Sequence, residues 1–315
     1  MTNIEISIII ATRNRESILW ESVGKALAAI ENQKAEIIIV NDGDRELSIP
    51  FHFSGNIKVL NNFKRGVSKA RNIGAENAKG IILFFVDDDM WINTEIIKWI
   101  EKNLINEKKE DAVYNVNWEY PPELNAKLKE TKVGRFILAN EYNTMWGRMH
   151  QKDKKPGLGL YDYNSVGSCS LVISKKIFEK IEGYMEPISF QGEDINLGQK
   201  LNKNNIKIYC LFDVTLFHNH RDRLEINEYL SRIERGYRSQ FSGERNNWIS
   251  TSKFSFRASK TKTFIYRILL MTESLWIKTF NIIPNTNLLT PFSNRIINIL
   301  SGLVKYKQWK ETYES

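Results

Sequence analysis

Cysteine and histidine are scarce in this chain of 315 residues, at two and four, and proline stops at seven. Cys169 and Cys210 stand 41 positions apart with no CxxC pair, which argues against a disulfide framework or a zinc ribbon and fits a reducing cytoplasm. No charge-free apolar run reaches the ~18 residues that a spanning helix needs, so an ordinary transmembrane segment is excluded. The opening MTNIEISIII lacks the basic n-region and small-residue cleavage site of a signal peptide and reads as a strand entering a core. Glycine is missing from ATRNRE, the stretch after that strand. This excludes a GxGxxG dinucleotide site and argues against the Gly-rich phosphate loop of a nucleotidyltransferase. A basic stripe is missing as well. Of the net charge of +8, residues 250–315 hold ten Lys/Arg against three Asp/Glu, leaving 35 against 34 for the first 249, so nucleic acid is not expected as a partner.

The hydrophobic content of 42% suffices for a sizeable core. Ile4 to Ala11, Glu36 to Val40, Ile57 to Leu60 and Ile81 to Val86 are short continuous apolar runs of the kind buried on both faces of a parallel sheet. Between them the spacing predicts helices over Ser17 to Glu31, Ser68 to Ala78 and Thr94 to Leu104. Strands and helices alternating in this way imply right-handed βαβ crossovers and a doubly wound α/β sheet, with a crevice beyond the carboxyl ends of its strands. A strand is expected at Ala112 to Trp118, then a looser stretch. A second compact block follows at 169–218, reading strand, helix, loop, helix and then two strands, IKIYCLF and VTLFH. Beyond Arg221 the pattern is helical and amphipathic to the end.

The strongest local signal is Asp87-Asp88-Asp89, directly after the apolar strand IILFFV. Strand alternation puts Asp87 and Asp89 on one side and Asp88 on the other. Three crowded carboxylates repel one another unless a cation or hydrogen-bond donors face them, and oxygen ligands suit a hard divalent ion such as Mg²⁺ or Mn²⁺. The bland alternative is a solvated acidic turn capping the next helix, which needs only one carboxylate. Glu193-Asp194, after Gly192, is the second acidic centre; taken alone it is an ordinary acidic helix N-terminus.

The segments SIIIATRNR, IVNDGD, GVSKARNIGAENAKGIILFFVDDDM, GSCSLVISKKIFEKIEGY and SFQGEDINLGQKL occur in the order typical of family-two glycosyltransferases. Over about residues 4–220 the chain resembles that family. The resemblance implies the GT-A (Rossmann-like) fold, a mostly parallel mixed sheet flanked by helices, and here a helical C-terminal extension. It divides the chain into a nucleotide-sugar-binding half (1–112), an acceptor-binding and catalytic half (113–220) and the extension (221–315). It implies an inverting transferase of the hexosyltransferase type that uses Mn²⁺ or Mg²⁺ and a nucleotide diphosphate donor, with a UDP-sugar favoured. Thr12, Arg13 and Asn14 resemble the loop that holds the nucleoside, with Arg13 where an aromatic is common. Asp42 corresponds to the carboxylate bonded to the base, in NDGD where Asp-Asp-Gly-Ser is commoner. Arg71 matches an arginine facing the nucleotide, and Gly66 lets backbone N–H groups approach the donor. Asp87 resembles the residue near the ribose, Asp89 the metal ligand, and Asp88 assists either. Asp194 is the implied general base, with Glu193 orienting hydroxyls. A histidine from VTLFHNH completes the metal shell, His218 in preference to His220, whereas His52 and His150 carry no such context. Cys169 reads as a small wall residue of the donor-sugar site.

Two other readings compete with this one: a sugar-nucleotide nucleotidyltransferase, and a non-catalytic nucleotide- or glycan-binding subunit, which would be expected to have lost Asp89 or Asp194. The acceptor is left open among a glycan, a lipid-linked glycan and a glycoprotein, with Trp118, Tyr120, Tyr142, Trp146, Tyr161 and Tyr163 suited either to stacking on a sugar or to the core. In the basic tail, 264–281 and 292–304 each carry an apolar helical face. That face predicts either contact with an anionic membrane surface, making the protein peripheral, or packing on the domain or on a second copy.

Overall fold

The computed structural model describes residues 4–108, 111–149, 156–188, 191–221, 224–250 and 259–314. His150 and the Ser189-Phe190 pair of the fifth motif lie outside them. In chain order the strands are β1 (Ile6–Thr12), β2 (Ala35–Asn41), β3 (Ile57–Asn61), β4 (Ile82–Asp87), β5 (Met90–Trp91), β6 (Ala112–Glu119), β7 (Leu160–Tyr163), β8 (Ser170–Ser174) and β9 (Lys207–His218). The helices are α1 (Glu16–Ala29), α2 (Val67–Glu76), α3 (Thr94–Ile100), α4 (Pro122–Leu128), α5 (Lys132–Ala139), α6 (Met145–Met149), α7 (Lys175–Lys180), α8 (Glu193–Lys203), α9 (Ile226–Arg245), α10 (Lys260–Met271), α11 (Glu273–Ile282) and α12 (Thr290–Tyr313).

The chain forms two compact units. The first takes the residues up to Glu119 together with 156–219. Its nine strands make one mixed sheet in the order β3-β2-β1-β4-β8-β6-β9-β5, with β7 also on β9. β1 is parallel to β2 and β4, and β3 to β2, while β8 runs antiparallel to β4 and β6. The central parallel strands are buried on both faces, every residue of β2 and all of β1 except Ala11, whereas β3 at the sheet edge, expected to be buried on both faces, is only half-buried because among the described residues nothing pairs its outer side. Helices α1, α2, α3, α7 and α8 belong to this unit. Register places the site, because Thr12 pairs with Asn41 and Ala11 with Asp87, so the carboxyl ends of β1, β2 and β4 open at one level.

The two expected strands IKIYCLF and VTLFH are one strand, β9. Its register on β6 jumps from Val116–Leu211 to Asn117–Thr215, a bulge that keeps the ladder going. β5 and β7 are too short to show in periodicity.

The second unit comprises 120–149 and the chain from His220 onward, and is helical. Segment 120–149 therefore groups with the C-terminal helices rather than with 113–119. Its core is the meeting of α12 with α9 and α5, around Ile296, Ile297, Leu300 and Leu303, none more than 1% exposed. The tail segment expected as one helix over 264–281 breaks at Thr272 into α10 and α11.

Candidate active site

At the ends of β1 and β2 lies a cavity of about 450 Å³, lined by Thr12, Asn14, Arg15, Glu16, Asn41, Asp44, Arg45 and Leu47. Asn14 adopts a left-handed backbone, and its amide is bonded twice to Asp44, accepting from the backbone N–H and donating to the carboxylate. Asp44 also pairs with Arg65. The Asn14 hydrogen bond and then the Arg65 charge hold the Asp44 carboxyl below its ordinary range. Asp42 is buried, and its Oδ1 accepts from Gly66 N at 2.8 Å and Asn62 Nδ2 at 2.7 Å; burial nonetheless raises its pKa. The Gly66 N–H thus goes to Asp42, and the glycine is required by its φ of 113° at the start of α2. Arg13 is exposed and close enough to Asp42 to act on it electrostatically.

The acid triplet departs from simple alternation, because β4 ends at Asp87 and Asp88-Asp89 form the turn into β5. Asp87 turns to Arg71, 3.0 Å from Nη2. Asp88 and Asp89 instead face a common partner, Arg15. Its Nη1 bonds Asp88 Oδ1, and its Nη2 lies 2.8 Å from Asp89 Oδ2. Thr12 donates to the other Asp88 oxygen at 2.7 Å. Burial and then the Asp89 charge push the Asp88 carboxyl up to about 7, against the opposing pull of Arg15 and Thr12. Arg15 was not among the sequence-derived site residues. The one signal that could have found it is register: β1 and β4 are neighbours, so residues just past Thr12 meet residues just past Asp87.

The second acidic centre is delivered by a tight turn in which Gln191 (φ 47°) and Gly192 (φ 99°) are both left-handed. α8 then begins with Glu193 and Asp194 in its first turn, where the helix dipole favours negative charge. Glu193 is buried and takes Arg71 Nη1 at 2.9 Å on Oε1, while its Oε2 is buried without a hydrogen-bond partner. Arg71, itself 4% exposed, therefore ties Asp87 to Glu193. Asp194 Oδ1 accepts from both the backbone N–H and the hydroxyl of Ser168, and the Tyr184 hydroxyl donates to Ser168 Oγ at 2.7 Å. Burial and then the Glu193 charge push Asp194 up to about 7, although Arg71 and Ser168 pull the other way. Ser168 and Tyr184 lie inside a recognised motif, but their link to Asp194 spans 26 and 10 positions through space and leaves no local pattern.

His218, the last residue of β9, presents Nε2 2.9 Å from Asp89 Oδ1, with the Trp118 ring edge-on at 4.7 Å. A buried carboxylate oxygen beside an imidazole nitrogen is a donor set that fits a divalent transition ion such as Mn²⁺. In the helical unit His220 Nδ1 lies 2.8 Å from the Tyr120 hydroxyl and 3.2 Å from Arg148 Nη2. Of the aromatics considered for the acceptor, Trp118 and Tyr120 are buried in the two cores, whereas Tyr161 is exposed.

The chain is 27% identical over 227 residues to a chondroitin synthase of Pasteurella multocida, a match covering 63% of this chain and 23% of that protein. It is 32% identical over 116 residues to the glycosyltransferase GlyA of Streptococcus pneumoniae, covering 35% of this chain and 16% of the relative. It is 31% identical over 136 residues to WfaP of Escherichia coli, a UDP-Glc:alpha-D-GlcNAc-diphosphoundecaprenol beta-1,3-glucosyltransferase, covering 38% and 53%. The first two matches span about a quarter or less of those relatives. Among solved structures, S. aureus TarS 1–349 in complex with UDP aligns over 99% of this chain and 92% of its own at 14% identity, with a TM-score of 0.48. The family model described as glycosyl transferase family 2 matches residues 7–181, more than half of the chain and the part that carries both β1 and the acid triplet; the chain belongs to glycosyltransferase family 2.

Proposed function

We propose that this chain transfers a sugar from a nucleotide diphosphate donor, a UDP-sugar in preference, to a hydroxyl of a glycan, lipid-linked or protein acceptor, with inversion at the anomeric carbon. The observation that carries the proposal is the single guanidinium of Arg71 joining Asp87, at the donor end of the sheet, to Glu193, beside Asp194. In the proposed reaction ionised Asp194 takes the acceptor hydroxyl proton as that oxygen attacks the anomeric carbon and the bond to the diphosphate breaks on the opposite face. Ser168 fixes one oxygen of Asp194, which aims the carboxylate. Glu193 Oε2, an acceptor without a partner, suits a sugar hydroxyl. Thr12, Arg13, Asn14 and Asp42 bind the nucleoside, Asp87 the ribose, and Asp88 steadies Arg15. Asp89 and His218 would hold Mn²⁺ or Mg²⁺, which when bound supplies positive charge for the departing diphosphate.

A UDP donor and a lipid-linked acceptor accord with the name of the E. coli relative, and a glycan acceptor with that of the synthase. Cys169 and Cys210 are free thiols, in accord with a cytoplasmic location.

The test is a panel of UDP-, GDP- and dTDP-sugars incubated with the full chain and Mn²⁺, read as released nucleotide. Sugar-selective release that stops in EDTA is expected. Absence of release, together with absence of thermal stabilisation by any member of the panel, overturns the proposal.

A further inference from the structure

The core of the helical unit is already filled by α9 and α12, which leaves α10 and α11 with an apolar row outside it. Phe264, Ile268 and Met271 stand at i, i+4 and i+7 on α10, Leu275 and Ile282 at i and i+7 on α11, and Leu288 follows in the next loop. All six are exposed, Met271 at 85% and Ile282 at 81%. Monomeric proteins rarely leave such a contiguous row in water. α11 is a fixed element: Phe280 is buried, and Lys132 Nζ caps the carbonyls of Phe280 and Ile283.

Charge selects the occupant. Lys262, Arg267 and Lys278 are exposed on these two helices, whereas their single acid, Glu273, is taken by Lys307 at 2.5 Å. Docking a second copy here would set basic faces against each other, while an anionic surface meets them with opposite charge. Neither helix reaches across a bilayer, and among the described residues no helix is long and apolar enough to do so. We propose that the outer face of α10 and α11 lies in the surface of an anionic lipid bilayer, with Phe264, Ile268, Met271, Leu275 and Ile282 among the acyl chains and Lys262, Arg267 and Lys278 at the headgroups. The proposal concerns a surface apart from the sugar-transfer site and stands or falls independently of it.

The experiment is sedimentation of the full chain with vesicles of 30% phosphatidylglycerol in phosphatidylcholine, and with pure phosphatidylcholine, at low and at 0.5 M salt. Binding to the anionic vesicles is expected, weakened by salt and by the triple variant Lys262→Gln, Arg267→Gln, Lys278→Gln at roughly fivefold per residue. Met271→Glu, and separately Ile282→Ser, should each lower binding at least tenfold; both sites are exposed, and circular dichroism checks that the fold persists. Equal binding by wild type and all variants, or no binding to anionic vesicles, overturns the proposal. So does a self-association that Met271→Glu abolishes, which would assign the face to a second copy.

Discussion

In the α/β unit Arg71, Asp88, Asp89, Glu193 and His218 are buried and bonded to one another or to Arg15, whereas in the helical unit His220, Ser293 and Gln308 are the buried polar side chains among the described residues. Exposed apolar residues occur in both units, Phe51 and Phe63 in the first among them, but in the helical unit they recur at helical spacing along α10 and α11. Removing an ion from water costs several kcal/mol, so a unit that buries this many has placed stability at the service of charge positioning. The helical unit is held by ordinary apolar packing and has apolar surface left over. Buried charge in one unit and apolar packing in the other is the division this contrast teaches.

The sharpest way to break that division is Asp194→Asn. It keeps the size and a hydrogen-bonding group but removes the basicity, so kcat should fall about 10²–10⁴-fold while the nucleotide Kd holds. A variant that loses nucleotide binding and keeps its residual kcat would make Asp194 a structural cap. Next in size is Arg15→Ala, which leaves Asp88 and Asp89 without their shared cation. In metal-free protein it should cost about 3–5 kcal/mol, and Mn²⁺ should raise the Tm of the variant more than that of the wild type. Equal Mn²⁺ shifts would remove Arg15 from its role as counter-charge.

Leu300→Ala opens a cavity in the other core and should cost about 2–5 kcal/mol in thermal or urea unfolding, with nucleotide affinity at low temperature unchanged. A parallel loss of affinity would show that the two units do not divide the work. The smallest effect is in pH. With Asp194 as the proposed base its ionised form is the active one, and burial raises its pKa to about 7, so kcat should fall as pH drops through that value, well above the range of an ordinary carboxylate. Ser168→Ala removes a hydrogen bond that favours the ionised form, and the acid limb should move to higher pH. A limb that stays in place would assign the titration to another group.

Much of the α/β unit was legible in the sequence. Ile4 to Ala11, EIIIV and IILFFV became β1, β2 and β4 because a strand buried on both faces must be apolar throughout, and a core helix must repeat near 3.6 residues. The acid triplet was legible because a carboxylate cluster beside an apolar strand end contradicts its local surroundings, whereas Glu193-Asp194, an ordinary helix start taken alone, stood out only through its place in the family's order of motifs. Strand alternation failed at Asp88 because the strand had already ended. Segment 120–149 gave no sign that it would group with the chain beyond His220, since its short helices α4 to α6 have no pattern distinguishing one unit from the other.

The sequence by itself determined the order of β1 to β4 with the helices between them, the acid triplet and the resemblance to the family, all properties carried by short stretches of chain. The tertiary structure alone decided that Arg15 reaches Asp88 across 73 positions, that Arg71 reaches Glu193 across 122, and that α12 is buried while α10 and α11 are not. Such pairings depend on strand register and on which face a helix finds already covered. Both are set by the whole packing rather than by neighbours along the chain.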